Sequence, residues 1–103
     1  MDVTVREEIL SMSRRAHDLT EVSYRQNPAR RGDPDWTEKQ RMLLADMALH
    51  LLQTSLRSGE LSEEGLKRNL FSILTISDQF IPDYDLKTVA ERLYESKTGA
   101  QCA

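Results

Sequence analysis

The chain has 103 residues, of which 39% are hydrophobic and 30% are charged, with four glycines and three prolines. This length suits a single domain, and this composition excludes a wholly disordered chain. The formal net charge of −3 at pH 7 argues against a protein whose main role is to coat nucleic acid.

The sequence is not expected to carry a signal peptide or a membrane-spanning segment. The N-terminus lacks a basic segment followed by an apolar one, so no signal peptide is predicted. No apolar run reaches about 18 residues, so no membrane-spanning helix is predicted either. The single cysteine, Cys102, cannot form an internal disulfide. We therefore expect a cytoplasmic protein with no membrane partner.

The first predicted helix covers residues 4–26. Thr4 and Glu7 have the spacing of a capping box, and the sequence Asn27-Pro28 ends the helix. Apolar residues then recur at alternating spacings of four and three, which is typical of a seam through which one helix packs on another. We expect this seam to pack on the second helix; its members are Val5, Ile9, Met12, Ala16 and Leu19.

The second predicted helix covers residues 35–58 and follows a basic linker, residues 27–34. Asp35 and Glu38 form a second possible capping box, and Gly59 can end the helix in a left-handed turn. The two long helices have similar lengths and a short connection, which favours an antiparallel hairpin. Within Met42–Leu52 only Asp46 and His50 are polar, so this helix is apolar nearly all round.

Two shorter helices complete the prediction, at residues 62–80 and 85–97, with a tail at residues 99–103. Ser62 is a suitable N-cap for the third helix, and Asp85 for the fourth. No strand is predicted anywhere in the chain. The predicted fold is therefore all-α, a single domain at residues 1–103 that forms a small bundle of four helices.

The second and third helices carry broader apolar faces than a small monomer buries. Exposed apolar patches of that kind mark interfaces. We expect a homodimer through these two helices, or a complex with another, unidentified protein. The predicted function is a non-catalytic regulator, inhibitor, adaptor or chaperone, in which tryptophan and arginine anchor the contact. The expected interaction residues are Trp36, Arg30, Arg31, Leu44, Met47, Leu51, Phe71 and Leu74.

Asp46 and His50 are the strongest candidates for chemistry, because residues four apart share one face of a helix. A metal site needs three or four ligands, and His17 on the first helix is the only other histidine. We interpret Asp46 and His50 as a solvent-facing stripe and His17 as an ordinary surface residue. No catalytic, cofactor-binding or metal-binding residue is predicted, no small-molecule substrate is evident, and the protein is not expected to be an enzyme.

An accessory nucleic-acid-binding role is the alternative function. Five arginines near the end of the first helix and in the linker could contact phosphates. The acidic net charge makes this role the weaker of the two. The arginines concerned are Arg14, Arg15, Arg25, Arg30 and Arg31.

Overall fold

The computed structural model describes residues 1–95. These residues form helices joined by turns and loops, with no strand among them. The predicted fourth helix, residues 85–97, is too long: the helix ends at Arg92, because the amides of residues 93–95 bond three residues back instead of four. Residues 96–97 and the predicted tail lie outside the described residues. No helix in the described part of the chain is both long and apolar enough to cross a membrane. The elements are α1 (Val3–Gln26), α2 (Trp36–Leu56), α3 (Glu63–Ser77), a 3-10 turn (Pro82–Tyr84) and α4 (Leu86–Arg92).

The helices begin close to the predicted positions, but the capping residues differ in two of the first three. The predicted capping box at Thr4 is wrong, because the Asp2 carboxylate accepts hydrogen bonds from the backbone amides of Thr4 and Val5. Asp35 precedes α2 without making a side-chain cap. Ser62 caps α3 as predicted, and its hydroxyl oxygen accepts from the Gly65 amide over 2.9 Å.

The side chain that caps α4 lies several residues before the start of the helix. Asp85 has a left-handed backbone, with φ of 53°, and its carboxylate accepts from the Thr88 hydroxyl rather than from a backbone amide. The Asp78 carboxylate accepts from the amides of Leu86 and Lys87. The prediction that Asp85 caps this helix is therefore wrong, because Asp78 satisfies the amides that an N-cap side chain would satisfy.

Replacing Ser62 by alanine is expected to lower the free energy of unfolding by about 1 kcal/mol, because the Gly65 amide loses its acceptor. Urea unfolding followed by circular dichroism measures the change. Ser58→Ala is the matched control, since Ser58 is an exposed serine outside any helix. Equal stabilities of the two variants would contradict the capping role.

The helices pack in the order in which they occur along the chain. α1 packs on α2, α2 on α3 and α3 on α4. Contacts between Thr20 and Asp46, and between the Lys39 ammonium and the Ala29 carbonyl, show that α1 and α2 run antiparallel. The Gln40–Gln79 hydrogen bond places the end of α3 beside the start of α2, so these helices are antiparallel as well.

This arrangement is open, and it does not close around a shared core as the predicted bundle would. The Cα radius of gyration is 16.2 Å, compared with about 13 Å for a compact domain of this length. The molecule measures 47 × 41 × 19 Å, so it is thin in one direction. Buried hydrophobic residues are few within residues 1–95: Leu10, Ala29, Ile76 and Ala90.

The register of α1 also differs from the prediction. Leu10 and Ser13 are its buried residues, and they belong to the face that packs on α2. Val5, Met12 and Leu19 of the predicted seam are exposed instead, at 48%, 55% and 72%. The expectation that this seam packs on the second helix is therefore wrong for these three residues, and much of its apolar surface is left uncovered.

Candidate functional site

Three polar side chains meet between the middle of α1 and the middle of α2. The Nε2 atoms of His17 and His50 lie 2.9 Å apart, with their rings nearly perpendicular. The Asp46 carboxylate completes the group: Oδ1 lies 3.4 Å from Nε2 of His17, and Oδ2 lies 3.4 Å from Nε2 of His50. We call these three residues the histidine–aspartate cluster.

Two further residues of α1, Thr20 and Glu21, lie beside the cluster. The Thr20 hydroxyl donates to Oδ1 of Asp46 over 2.6 Å. Glu21 places Oε2 at 3.6 Å from Nε2 of His17, while its other carboxylate oxygen accepts from the Arg25 guanidinium over 2.8 Å. His17 and Glu21 are four residues apart, so one face of α1 supplies both groups.

The interpretation of these residues as solvent-facing is wrong for Asp46 and His17. Asp46 is 6% exposed and is one of only two buried residues of α2. His17 is half-buried and contacts the second helix. A buried carboxylate requires hydrogen bonds or an opposite charge. Among residues 1–95, the ion-pair partners of Asp46 are the two histidines.

The sequence does not reveal that His17 lies beside His50, because the two residues are 33 positions apart in the chain. A signal for the pairing was nevertheless present in the predicted antiparallel hairpin. Such a hairpin turns within the linker, so residues at similar distances on either side of it lie opposite each other. His17 on one side then falls near Asp46 and His50 on the other.

A second feature is an apolar groove between α1 and α2. Its volume is about 250 Å³, and five of its six lining residues are apolar. It is continuous with the predicted seam, because three seam residues line it. The lining residues are Ile9, Met12, Ser13, Ala16, Leu49 and Leu52.

Three of the predicted interaction residues, Leu44, Met47 and Leu51, take part in packing within the chain. They lie between Gln40 and Thr54 at alternating spacings of four and three, and so share the same face of α2. Gln40 accepts a hydrogen bond from Gln79, just after the end of α3, and Thr54 lies beside Gly65 of α3, so this face is directed toward α3. Leu44, Met47 and Leu51 are accordingly half-buried.

The other predicted interaction residues are dispersed. Phe71 and Leu74 of α3 are half-buried, and the Phe71 ring packs edge-on against Tyr94 at 5.0 Å. Trp36 is half-buried at the start of α2, beside a cleft that it shares with Phe80. Arg30 and Arg31 are exposed in the linker, as are the remaining arginines of the alternative nucleic-acid surface, Arg14, Arg15 and Arg25.

Three of these arginines lie on α1 and two lie in the linker. Arg14 and Arg25 project within about 20° of each other but are about 16 Å apart along the helix, and Arg15 projects about 100° from Arg14. Arg25 also pairs with Glu21. The alternative role therefore depends on widely spaced charges, one of which is already paired.

Comparison with known proteins gives no relative from which a function could be transferred: no family model, curated protein or solved structure matches the chain.

Proposed function

We propose that this chain is a non-catalytic protein–protein interaction module that associates with a second copy of itself through the exposed face of α1. The observation that supports the proposal is the exposure of Val5, Met12 and Leu19. The other two seam residues, Ile9 and Ala16, are half-buried and line the groove beside α2. Apolar residues at an average spacing of 3.5 suit packing against another helix. Within this chain the buried residues of α1 are Leu10 and Ser13, on the neighbouring face.

The surface area of the isolated chain supports a partner. Its accessible surface is 7587 Å², whereas about 6,000 Å² is expected for a compact monomer of this mass. The difference between the observed and the expected accessible surface is larger than the roughly 800 Å² that each partner contributes to a standard interface. Association would bury the seam together with the adjoining groove beside Leu49 and Leu52.

Charges beside the seam favour a second copy in an antiparallel arrangement. Glu8 and Arg15 are exposed, and they lie on the same flank because they are seven residues apart. A twofold axis near Met12 would place Glu8 of one copy opposite Arg15 of the other. A twofold interface repeats each contact, so two complementary pairs would form.

Sedimentation equilibrium tests this proposal. The protein is expected to sediment at about twice 11.9 kDa at micromolar concentrations. Met12→Glu is expected to give a folded monomer, because it places a carboxylate in the centre of the seam. Leu61→Glu is the matched control: Leu61 is 54% exposed, similar to Met12, but lies between α2 and α3. A monomer at all concentrations, or a dimer that Met12→Glu leaves intact, would refute self-association through this seam.

Charge reversal tests the antiparallel arrangement separately. Glu8→Arg alone is expected to weaken the dimer about tenfold, because two arginines then face each other at each of two symmetric positions. The double variant Glu8→Arg/Arg15→Glu restores opposite charges and is expected to recover the affinity of the original chain. If the double variant is as weak as the single one, the proposed register is incorrect.

A further inference from the structure

We propose that the histidine–aspartate cluster binds one divalent transition-metal ion, for which Zn²⁺ is the best match. Imidazole nitrogens and a carboxylate oxygen are typical zinc ligands, whereas Mg²⁺ and Ca²⁺ prefer sites made of oxygen alone. The three residues offer one ligand atom each within 4.8 Å of one another. This site is separate from the exposed seam and does not depend on self-association.

The distances within the cluster suit a zinc ion. Ligand atoms 2.0–2.1 Å from a tetrahedral zinc lie about 3.3 Å from each other. The two Nε2 atoms are 2.9 Å apart, and each is 3.4 Å from an oxygen of Asp46. The two contacts use different oxygens of Asp46, and single ligand atoms of the three residues lie within 4.8 Å of one another, so side-chain rotation must bring them to about 3.3 Å around one ion.

The residues around the cluster resemble the outer shell of a metal site. Outer-shell hydrogen bonds orient metal ligands and contribute to affinity. The Thr20 hydroxyl holds Oδ1 of Asp46, and Arg25 holds one carboxylate oxygen of Glu21 while the other points toward His17. Within the proposal, Glu21 or a water molecule supplies the fourth ligand. The Glu21 carboxylate is 3.6 Å from His17, which is close to the ligand–ligand separation expected at zinc.

Charge balance also favours a cation at this position. Asp46 is buried, and its ion-pair partners in the described part of the chain are imidazoles, which are neutral when they bind a metal. A divalent ion would neutralise this carboxylate, whereas Glu21 is already paired with Arg25.

An ion can reach the cluster from solvent. The side chain of His50 is 40% exposed and lines a cleft of about 330 Å³ between α2 and α3. His17, Asp46 and His50 all lie on helices rather than loops, so the backbone that carries these ligands is already ordered before the ion binds. Preordered ligands of this kind raise affinity.

Isothermal titration of chelator-treated protein with ZnCl₂ tests the proposal. One ion per chain is expected, and His17→Gln and His50→Gln should each weaken binding at least about 100-fold, because a ligand is lost. Thr20→Val is expected to weaken binding about tenfold, because it removes only an orienting hydrogen bond. Co²⁺ added in place of Zn²⁺ should give the visible absorption bands of a tetrahedral site, and both histidine variants should lack them.

Two matched controls identify the ligands. Glu91→Gln alters an exposed carboxylate on α4, outside the α1–α2 pair, and should bind zinc as the original chain does. Cys102→Ser removes the only thiol and should also bind normally. Circular dichroism establishes that each variant is folded. Absence of binding at about 100 μM Zn²⁺, or unchanged binding in a folded His50→Gln variant, would refute the site.

Discussion

Replacing Ile76 by alanine is expected to lower the free energy of unfolding by about 2–4 kcal/mol. Ile76 is 7% exposed and is the one buried residue of α3, the helix that packs between α2 and α4. Its truncation removes apolar contacts and leaves a cavity that the surrounding helices only partly fill. Because buried hydrophobic residues are few in residues 1–95, this loss is a large part of a typical total of about 5–15 kcal/mol.

Urea unfolding at a fixed protein concentration measures this change, since self-association makes stability depend on concentration. Ile81→Ala is the matched control, because Ile81 is the same residue type at 46% exposure and is expected to change stability by less than about 0.5 kcal/mol. Similar losses in the two variants would show that burial at Ile76 does not stabilise the fold.

Replacing Asp46 by alanine is expected to destabilise the metal-free protein by about 1–3 kcal/mol. The substitution removes the acceptor of the Thr20 hydroxyl and the carboxylate that contacts both histidines. Polar groups of His17 and Thr20 then remain between the helices with fewer partners. Asp18→Ala is the control, since that carboxylate is 84% exposed and should contribute little.

A double-mutant cycle separates the Thr20–Asp46 contact from the rest of this effect. Thr20→Val keeps the shape of the side chain but removes the hydroxyl. The combined variant Thr20→Val/Asp46→Ala is expected to be more stable than the sum of the two single changes predicts, by about 0.5–2 kcal/mol. Chemical unfolding in the presence of a chelator gives all four stabilities. This account would be contradicted if the stability losses of the two single variants simply add in the double variant. It would also be contradicted if Asp46→Ala were as stable as the original chain.

The sequence was sufficient to predict the all-helical class and the approximate position of every helix. These predictions succeeded because local signals determine them: Pro28 follows the end of α1, Ser62 caps α3, and Pro82 separates α3 from α4. The cap of α4 could not be predicted in this way. Asp78 is eight residues before Leu86, and only the folded turn brings its carboxylate to that amide.

The register of α1 was misjudged for a related reason. Counting apolar residues favours the face of Val5, Met12 and Leu19 as the packed one, yet the structure packs the face that carries Ser13 and His17. A polar side chain can be buried when its partner is supplied by another helix. Periodicity within one helix contains no information about that partner. Both the histidine–aspartate cluster and the exposed seam follow from this single difference in register.

The packing of each helix on its neighbours in the chain also has a consequence for folding kinetics. Contacts between elements that are close in sequence give a low contact order, and such chains cross the folding barrier rapidly because little loop entropy is lost early. The α1–α2 hairpin and the α2–α3 hairpin can each form without waiting for distant parts of the chain. Because each helix packs mainly on its neighbours in the chain, unfolding is less cooperative, as in repeat proteins. A terminal helix can therefore open while the others stay folded. An ion held between α1 and α2, or a second copy packed on α1, would therefore act mainly by slowing the opening of that first helix.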